Sequence, residues 1–372
     1  MEIRQLIFTT LLLSSLTILS QQEDDNLYYA RFEGVIGNNI HVKANIIRLF
    51  DKLSGNYQYR FIDEDTEMYY GKTINLNGDV TDENANLKEM GQTSTTLTGT
   101  LNQESFTGFW NTSDEKQLEF NLKEYYPKGT LPFDIYYLHS EDKLVPNNTE
   151  SPTAEIELTL LFPLDKYFQV GIVDSVKQII TNSFFGPEFY NNDQDSMLVY
   201  FENEYFKNYK DQNMEWFSQG KSFDWQKTVN MSVIYNSNYL LCTEYLKYAY
   251  TGGAHGMTNI SYDIINLSDG IKLTYNTIFK EGSKDTLTAI LTQKLRKDYK
   301  IPEDIPLKKA GFFVDNIEPN QNIYINGNGI GFLFNSYEIA PYSSGQTNIF
   351  LEFDIIAGLL NKDTPVAIIG KR

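Results

Sequence analysis

Between Leu27 and Lys123 the apolar residues recur at every second position, and no stretch of a dozen residues keeps a helical period. In the run from Asn39 to Ile46, Ile40, Val42, Ala44 and Ile46 share one face, while His41, Lys43 and Asn45 share the other. Segments 57–62, 72–78, 96–101, 105–110 and 117–122 repeat the alternation, separated by Gly, Asn and Asp turns. Such a pattern makes only sheet, and about eight short strands joined by tight turns predict an all-β small barrel or sandwich over residues 24–126. On this reading His41 is a solvent-facing strand residue.

Pro127, Gly129 and Pro132 interrupt the alternation and predict a linker at 127–131. Beyond it the periods mix. Ile156, Leu158, Leu160 and Phe162 alternate as in a strand, whereas Val173, Val176, Ile180 and Phe184 recur three and four apart, as on one face of a helix. A second helix is predicted near Asp195, with Met197, Phe201 and Tyr205 on one side. A third is predicted from Ser283 to about Tyr299, through Leu287, Leu291 and Leu295. A hairpin turns at Asn236, Ser237 and Asn238. Residues 132–361 therefore read as α+β, with an antiparallel sheet and about three helices; residues 362–372 read as a C-terminal tail.

The first twenty residues place Arg4 before an uncharged run from Leu6 to Leu19, followed by Ser20 and the acidic Glu23, Asp24 and Asp25. The run is shorter than the roughly 20 residues of a membrane-spanning helix and predicts a secretory signal peptide at 1–20. The mature chain is expected to be periplasmic or secreted, without an integral membrane segment. Its single cysteine, Cys242, excludes an internal disulfide. A net charge of -18, with no basic cluster, argues against nucleic acid and for cationic partners. No cofactor motif is present.

The stretch YTGGAHG, Tyr250 to Gly256, sets three glycines around one of only three histidines. Several chemistries could use it. Zinc needs three or four ligands, and His41, His139 and His255 fall in separate elements. A Cys242–His255 nucleophilic pair needs the thiol beside its base, yet Cys242 lies within a leucine-rich strand. Glycine N–H groups could cradle an anion, and His255 could work with a carboxylate. The remaining reading is structural: the glycines permit positive φ between two strands.

YTGGAHG, then DGIKLTYNTIFKEG before a helix, then GIGFLFNSYEIAPYSSG before a last strand, together resemble the extracellular domain family of the lysozyme-sensing anti-sigma factor RsiV, a bacterial cell-envelope domain that also accompanies the peptidoglycan deacetylase PdaC. The resemblance spans about residues 133–361. It implies that Gly252, Gly253, His255 and Gly256 pack near Tyr337, Glu338, Pro341 and Tyr342, and that the activity is protein binding, with a cationic lysozyme-like protein as partner. Signalling and deacetylation do not follow, because no sigma-binding segment or deacetylase metal set accompanies the motifs. A cell-wall glycan is the alternative partner, since thirteen aromatics fall between Phe184 and Trp225, Tyr200, Tyr209 and Trp216 among them. A hydrolase or deacetylase acting through His255 and Glu338 is the third reading.

Overall fold

The computed structural model describes residues 18–20, 25–62, 68–70, 72–91, 94–166, 168–187, 193–221 and 223–369. Most of the expected signal peptide, residues 1–17, lies outside the described residues. Its last three residues form β1 (Ile18–Ser20).

Eight strands close a barrel. They are β2 (Leu27–Ile36), β3 (Ile40–Leu49), β4 (Lys52–Ile62), β6 (Ile74–Thr81), β7 (Asn84–Glu89), β8 (Thr96–Leu101), β9 (Ser105–Asn111) and β10 (Gln117–Glu124), with the short β5 (Met68–Tyr70) added to one end of β4. The order β3-β2-β10-β9-β8-β7-β6-β4 becomes a ring through the antiparallel pairing of β3 with β4. Closure leaves no unpaired edge in the ring, and one side chain in two fills the interior: Phe32, Val42, Leu53, Tyr57, Leu87, Phe106 and Leu122 are all buried there. His41 is exposed, as the alternation requires.

The second domain is built on a seven-stranded sheet of order β1-β11-β12-β13-β14-β15-β16. Its members are β11 (Phe133–Lys143), β12 (Thr153–Pro163), β13 (Trp225–Ser237), β14 (Leu240–Tyr250), β15 (Met257–Asn266) and β16 (Ile271–Leu273), together with β1. The sheet is mixed rather than purely antiparallel, because β12 and β13 run parallel. A parallel neighbour cannot be reached by a tight turn, and the crossover is made by α1 (Val170–Phe185) and α2 (Gln194–Ser218). Val173, Val176, Ile180 and Phe184 form the buried face of α1. Helix α2 begins before Asp195: Asp193 is the N-cap, and its carboxylate accepts a hydrogen bond from the Ser196 hydroxyl.

The opposite face of the sheet carries α3 (Tyr275–Ile278), α4 (Lys284–Tyr299) and a three-stranded sheet of β17 (Ile323–Ile325), β18 (Gly329–Phe334) and β19 (Thr347–Glu352). Leu287, Leu291 and Leu295 of α4 are buried, whereas Tyr299 is half exposed with its ring edge on Phe312. Alternation sends Leu241 and Tyr245 to the α1/α2 core and Leu240 and Cys242 to the other. A bulge between Val233 and Tyr235 switches the phase of β13, so Val233 joins the first core and Tyr235 the second. The expected C-terminal tail contributes to the second core: after α5 (Phe353–Ile356), α6 (Pro365–Ile369) buries Val366 and Ile369.

The barrel meets this domain at the turn between β13 and β14. Asn238 and Tyr239 both have positive φ, 55° and 59°, the form that a two-residue hairpin requires. The buried Asn236 side chain accepts from Leu131 N–H at 2.9 Å and donates to Leu131 O at 2.7 Å. Arg31 of the barrel, only 2% exposed, donates from Nε to Asn236 O at 3.0 Å and from a terminal nitrogen to Tyr125 O, and pairs with Glu33. Asn56 of the barrel donates to Val233 O at 2.7 Å. Thr130 and Leu131, expected in an exposed linker, are 1% and 0% exposed because they thread this joint.

Asn236→Ala leaves the Leu131 N–H and C=O buried without partners, and an expected loss of about 3 kcal/mol in unfolding free energy follows. Urea unfolding checks this; a loss under about 1 kcal/mol, the value of one ordinary hydrogen bond, would show that the joint does not depend on Asn236.

Candidate motif-loop surface

The glycine loop, residues 251–256, joins β14 to β15. Gly252 has φ of 96°, and a Cβ there would lie 2.6 Å from the Phe223 ring, so the position excludes side chains both by conformation and by space. Gly253 also has positive φ, 102°, but faces open space. At Gly256 a Cβ would lie 2.4 Å from the Tyr248 ring. The loop is thus folded tightly against the strand it leaves.

The connection between β18 and β19 approaches from the neighbouring sheet. Asn335 anchors it by imitating a strand partner, accepting from Ile260 N–H at 2.8 Å and donating to Ile260 O at 3.0 Å. The following turn places Tyr337 at φ 73° and closes with Tyr337 N–H on Ala340 O at 3.0 Å. Pro341 then precedes a short 3-10 turn, Tyr342–Ser344. From it the Tyr342 hydroxyl donates to Gly256 O at 2.9 Å, and the Tyr342 ring stacks on His255 with centroids 3.7 Å apart and planes 14° from parallel. Tyr337 lies 5.8 Å from Tyr342, centroid to centroid, and is 50% exposed.

His255, Gly256, Tyr337 and Tyr342 therefore meet, with Pro341 adjoining through the turn. Glu338 is exposed on the same turn, and no hydrogen bond or ion pair joins it to His255 among the described residues. His255 itself is exposed, with Nδ1 3.0 Å from Gly256 O. Nothing here recesses a histidine and a carboxylate around a reacting atom. Cys242 is wholly buried in the second core, and desolvation pushes its thiol far above the usual range, which removes it as a nucleophile beside His255. His139 is elsewhere, its Nε2 2.9 Å from Glu155 Oε1, and His41 lines a cleft of about 650 Å³ between barrel and second domain.

Residues 173–258 match the family described as Deacetylase PdaC, and residues 276–354 match the family described as Protein of unknown function (DUF3298). Both domains are present in this chain. The glycine loop falls within the first match and the Tyr337–Tyr342 turn within the second, so the stacked pair joins the two. A solved structure of a DUF3298 family member from Bacteroides fragilis is similar in fold, at 24% identity and a TM-score of 0.61, covering 66% of this chain and 99% of that one. A DUF3298 family protein from Pseudomonas aeruginosa aligns at 17% identity and a TM-score of 0.45, covering 62% and 95%. No curated protein matches this sequence.

The aromatics after Phe184 divide: Tyr209 and Trp225 are buried, whereas Tyr200 and Trp216 are half exposed. Tyr200 borders a groove of about 560 Å³ between α2 and the sheet, which Thr251 of the glycine loop also lines. This groove is a second concavity that the motifs do not mark. Its sequence signal is Lys227, a charged residue in the apolar phase of Trp225, Val229, Met231 and Val233.

Gly252→Val should cost about 2–3 kcal/mol, the strain of a β-branched residue at positive φ with a ring in its path. His255→Ala should cost about 1 kcal/mol, the value of one exposed ring stack. Thermal melts of both variants rank them, and a larger loss for His255→Ala would make the histidine, not the glycine, the keystone of the loop.

Proposed function

We propose that the protein is an exported, cell-wall-related binding protein whose second domain offers the two motif loops as one surface to a cationic, lysozyme-like protein. The observation that carries this reading is the Tyr342 bridge. One side chain fixes the glycine loop by a hydrogen bond and a ring stack, while the adjacent Tyr337 is held out in solvent in a strained conformation. Rings presented on a pre-organised loop are the usual anchors of a protein interface, and rigidity reduces the entropy lost on association. The PdaC match supports the cell-wall setting, the resemblance to the lysozyme-sensing family supports the partner, and the signal-like run at 1–20 supports export. A chain of charge -18 attracts a basic partner over long range, which raises the association rate.

Calorimetric titration with lysozymes of several classes tests the proposal. Binding should weaken as salt rises, because attraction between separated charges is screened beyond about 8 Å at physiological ionic strength. Tyr337→Ala should reduce affinity about tenfold or more with an unchanged melting temperature. Absence of binding to every lysozyme, with turnover of a cell-wall substrate that is lost on His255→Ala, would replace this reading with an enzymatic one.

A further inference from the structure

The face of β13 beneath the helices consists of Trp225, Val229, Met231 and Val233, with one break in phase: Lys227 stands between the first two. Its ammonium lies 4.2 Å from the centroid of the Phe201 ring and 5.6 Å from that of Tyr205. Among the described residues no hydrogen bond or ion pair reaches it. Lys247 on the adjacent strand shows what a structural lysine does here, donating to Ser183 O at 2.6 Å near the end of α1. Burial, with Lys247 as a like-charged neighbour, lowers the Lys227 pKa. A cation held at a core-facing position against ring faces alone, in a chain rich in acids, costs stability that methionine or leucine would not.

Lys227 lines the groove between α2 and the sheet together with Tyr200, Asn208, Gln212, Gln226 and Trp225. Glu204 is the acidic residue of the lining and stays beyond ion-pair distance of the ammonium. Trp225 keeps its indole N–H without a hydrogen-bond partner. β13 is an interior strand here, paired with β12 through residues 225–230 and with β14 from residue 226 onward. Its backbone is therefore spent, and a peptide could not add as a strand. Recognition falls to side chains: a half-exposed ring to stack on, the two primary amides of Asn208 and Gln212 that both donate and accept, and one cation, the Gln226 amide being turned to Glu155 on the other face of the sheet. That set suits the hydroxyls and apolar face of a pyranose bearing an anionic group.

We propose that this groove binds an oligosaccharide whose sugar carries a carboxylate, with Lys227 receiving the carboxylate and Tyr200 stacking on the ring. The site is separate from the motif-loop surface, and either can fail without the other. Calorimetry on the whole protein, with a hexuronate trimer and a muramic acid disaccharide each set beside its methyl ester, tests it. At least one acid should bind about tenfold or more tightly than its ester, the discrimination expected of a charged hydrogen bond. The acid that wins distinguishes a ring carboxylate from one on a lactyl ether. Lys227→Met should erase the difference while raising the melting temperature, and Lys227→Arg should retain it. The acid-to-ester comparison on the unaltered protein stands even if a variant does not fold. Equal affinity for acid and ester, no binding of either, or binding of an acidic peptide instead would overturn the proposal.

Discussion

The structure depends on the buried polar joint around Asn236. A β-barrel closed on itself has no sheet edge to offer a neighbour, so its attachment to a second domain must come from side chains and loop backbone. Arg31, Asn56 and Lys43 supply its polar part from the barrel, reaching Asn236 O, Val233 O and the Ser237 hydroxyl, while Leu27, Tyr29 and Ile47 pack into the helix-side core beside Phe133. Asn236 returns its own side chain to Leu131, and Tyr239 N–H reaches Gly129 O at 2.9 Å. The same turn, together with the bulge between Val233 and Tyr235, sets the phase of β13 and β14 and so decides which residues enter the helix-side core and which the opposite core. An arginine buried to this degree is tolerated because carbonyls and Glu33 meet its donors; without them the desolvated charge would be a large penalty.

From that sheet two candidate surfaces emerge by different physics. The motif-loop surface arises at the strand ends, where glycines let the chain turn tightly and Tyr342 of the smaller sheet locks the turn from outside. The α2 groove arises in mid-sheet, where a helix stands off the strands and leaves a cation facing rings. Thr251 lies in both regions, as a member of the glycine loop and of the groove lining, so the two surfaces share a border.

Much of the fold was legible because alternation and helical spacing report burial locally. The barrel strands and the faces of α1 and α4 could be read from residue order, as could the β13–β14 hairpin, although its turn is Asn238–Tyr239 and the expected turn residues Asn236 and Ser237 end β13. Closure of the barrel could not, since it depends on the non-local pairing of β2 with β10, and the parallel β12–β13 pair was hidden for the same reason. The start of α2 was read near Asp195, which instead falls in the first turn, where a carboxylate suits the helix N-terminus as well as it suits a cap; the N-cap is Asp193. Residues 129–131 look like a connector by their Gly and Pro neighbours, but they fill the joint. The approach of the two motif loops came from the family resemblance rather than from residue spacing, because 86 residues separate Gly256 from Tyr342. Lys227 breaks the phase of Trp225, Val229, Met231 and Val233, but residue order alone does not tell a half-buried lysine facing rings from a solvated one at a strand end.

Amide hydrogen exchange of the unaltered protein and of Arg31→Met tests the joint most directly. The account predicts faster exchange in the turn at 236–239 and in residues 129–133 of the variant, with protection of the far barrel strands β7 and β8 retained. Unchanged exchange at the turn and the connector would contradict it, because the barrel would then be attached by something other than its buried arginine.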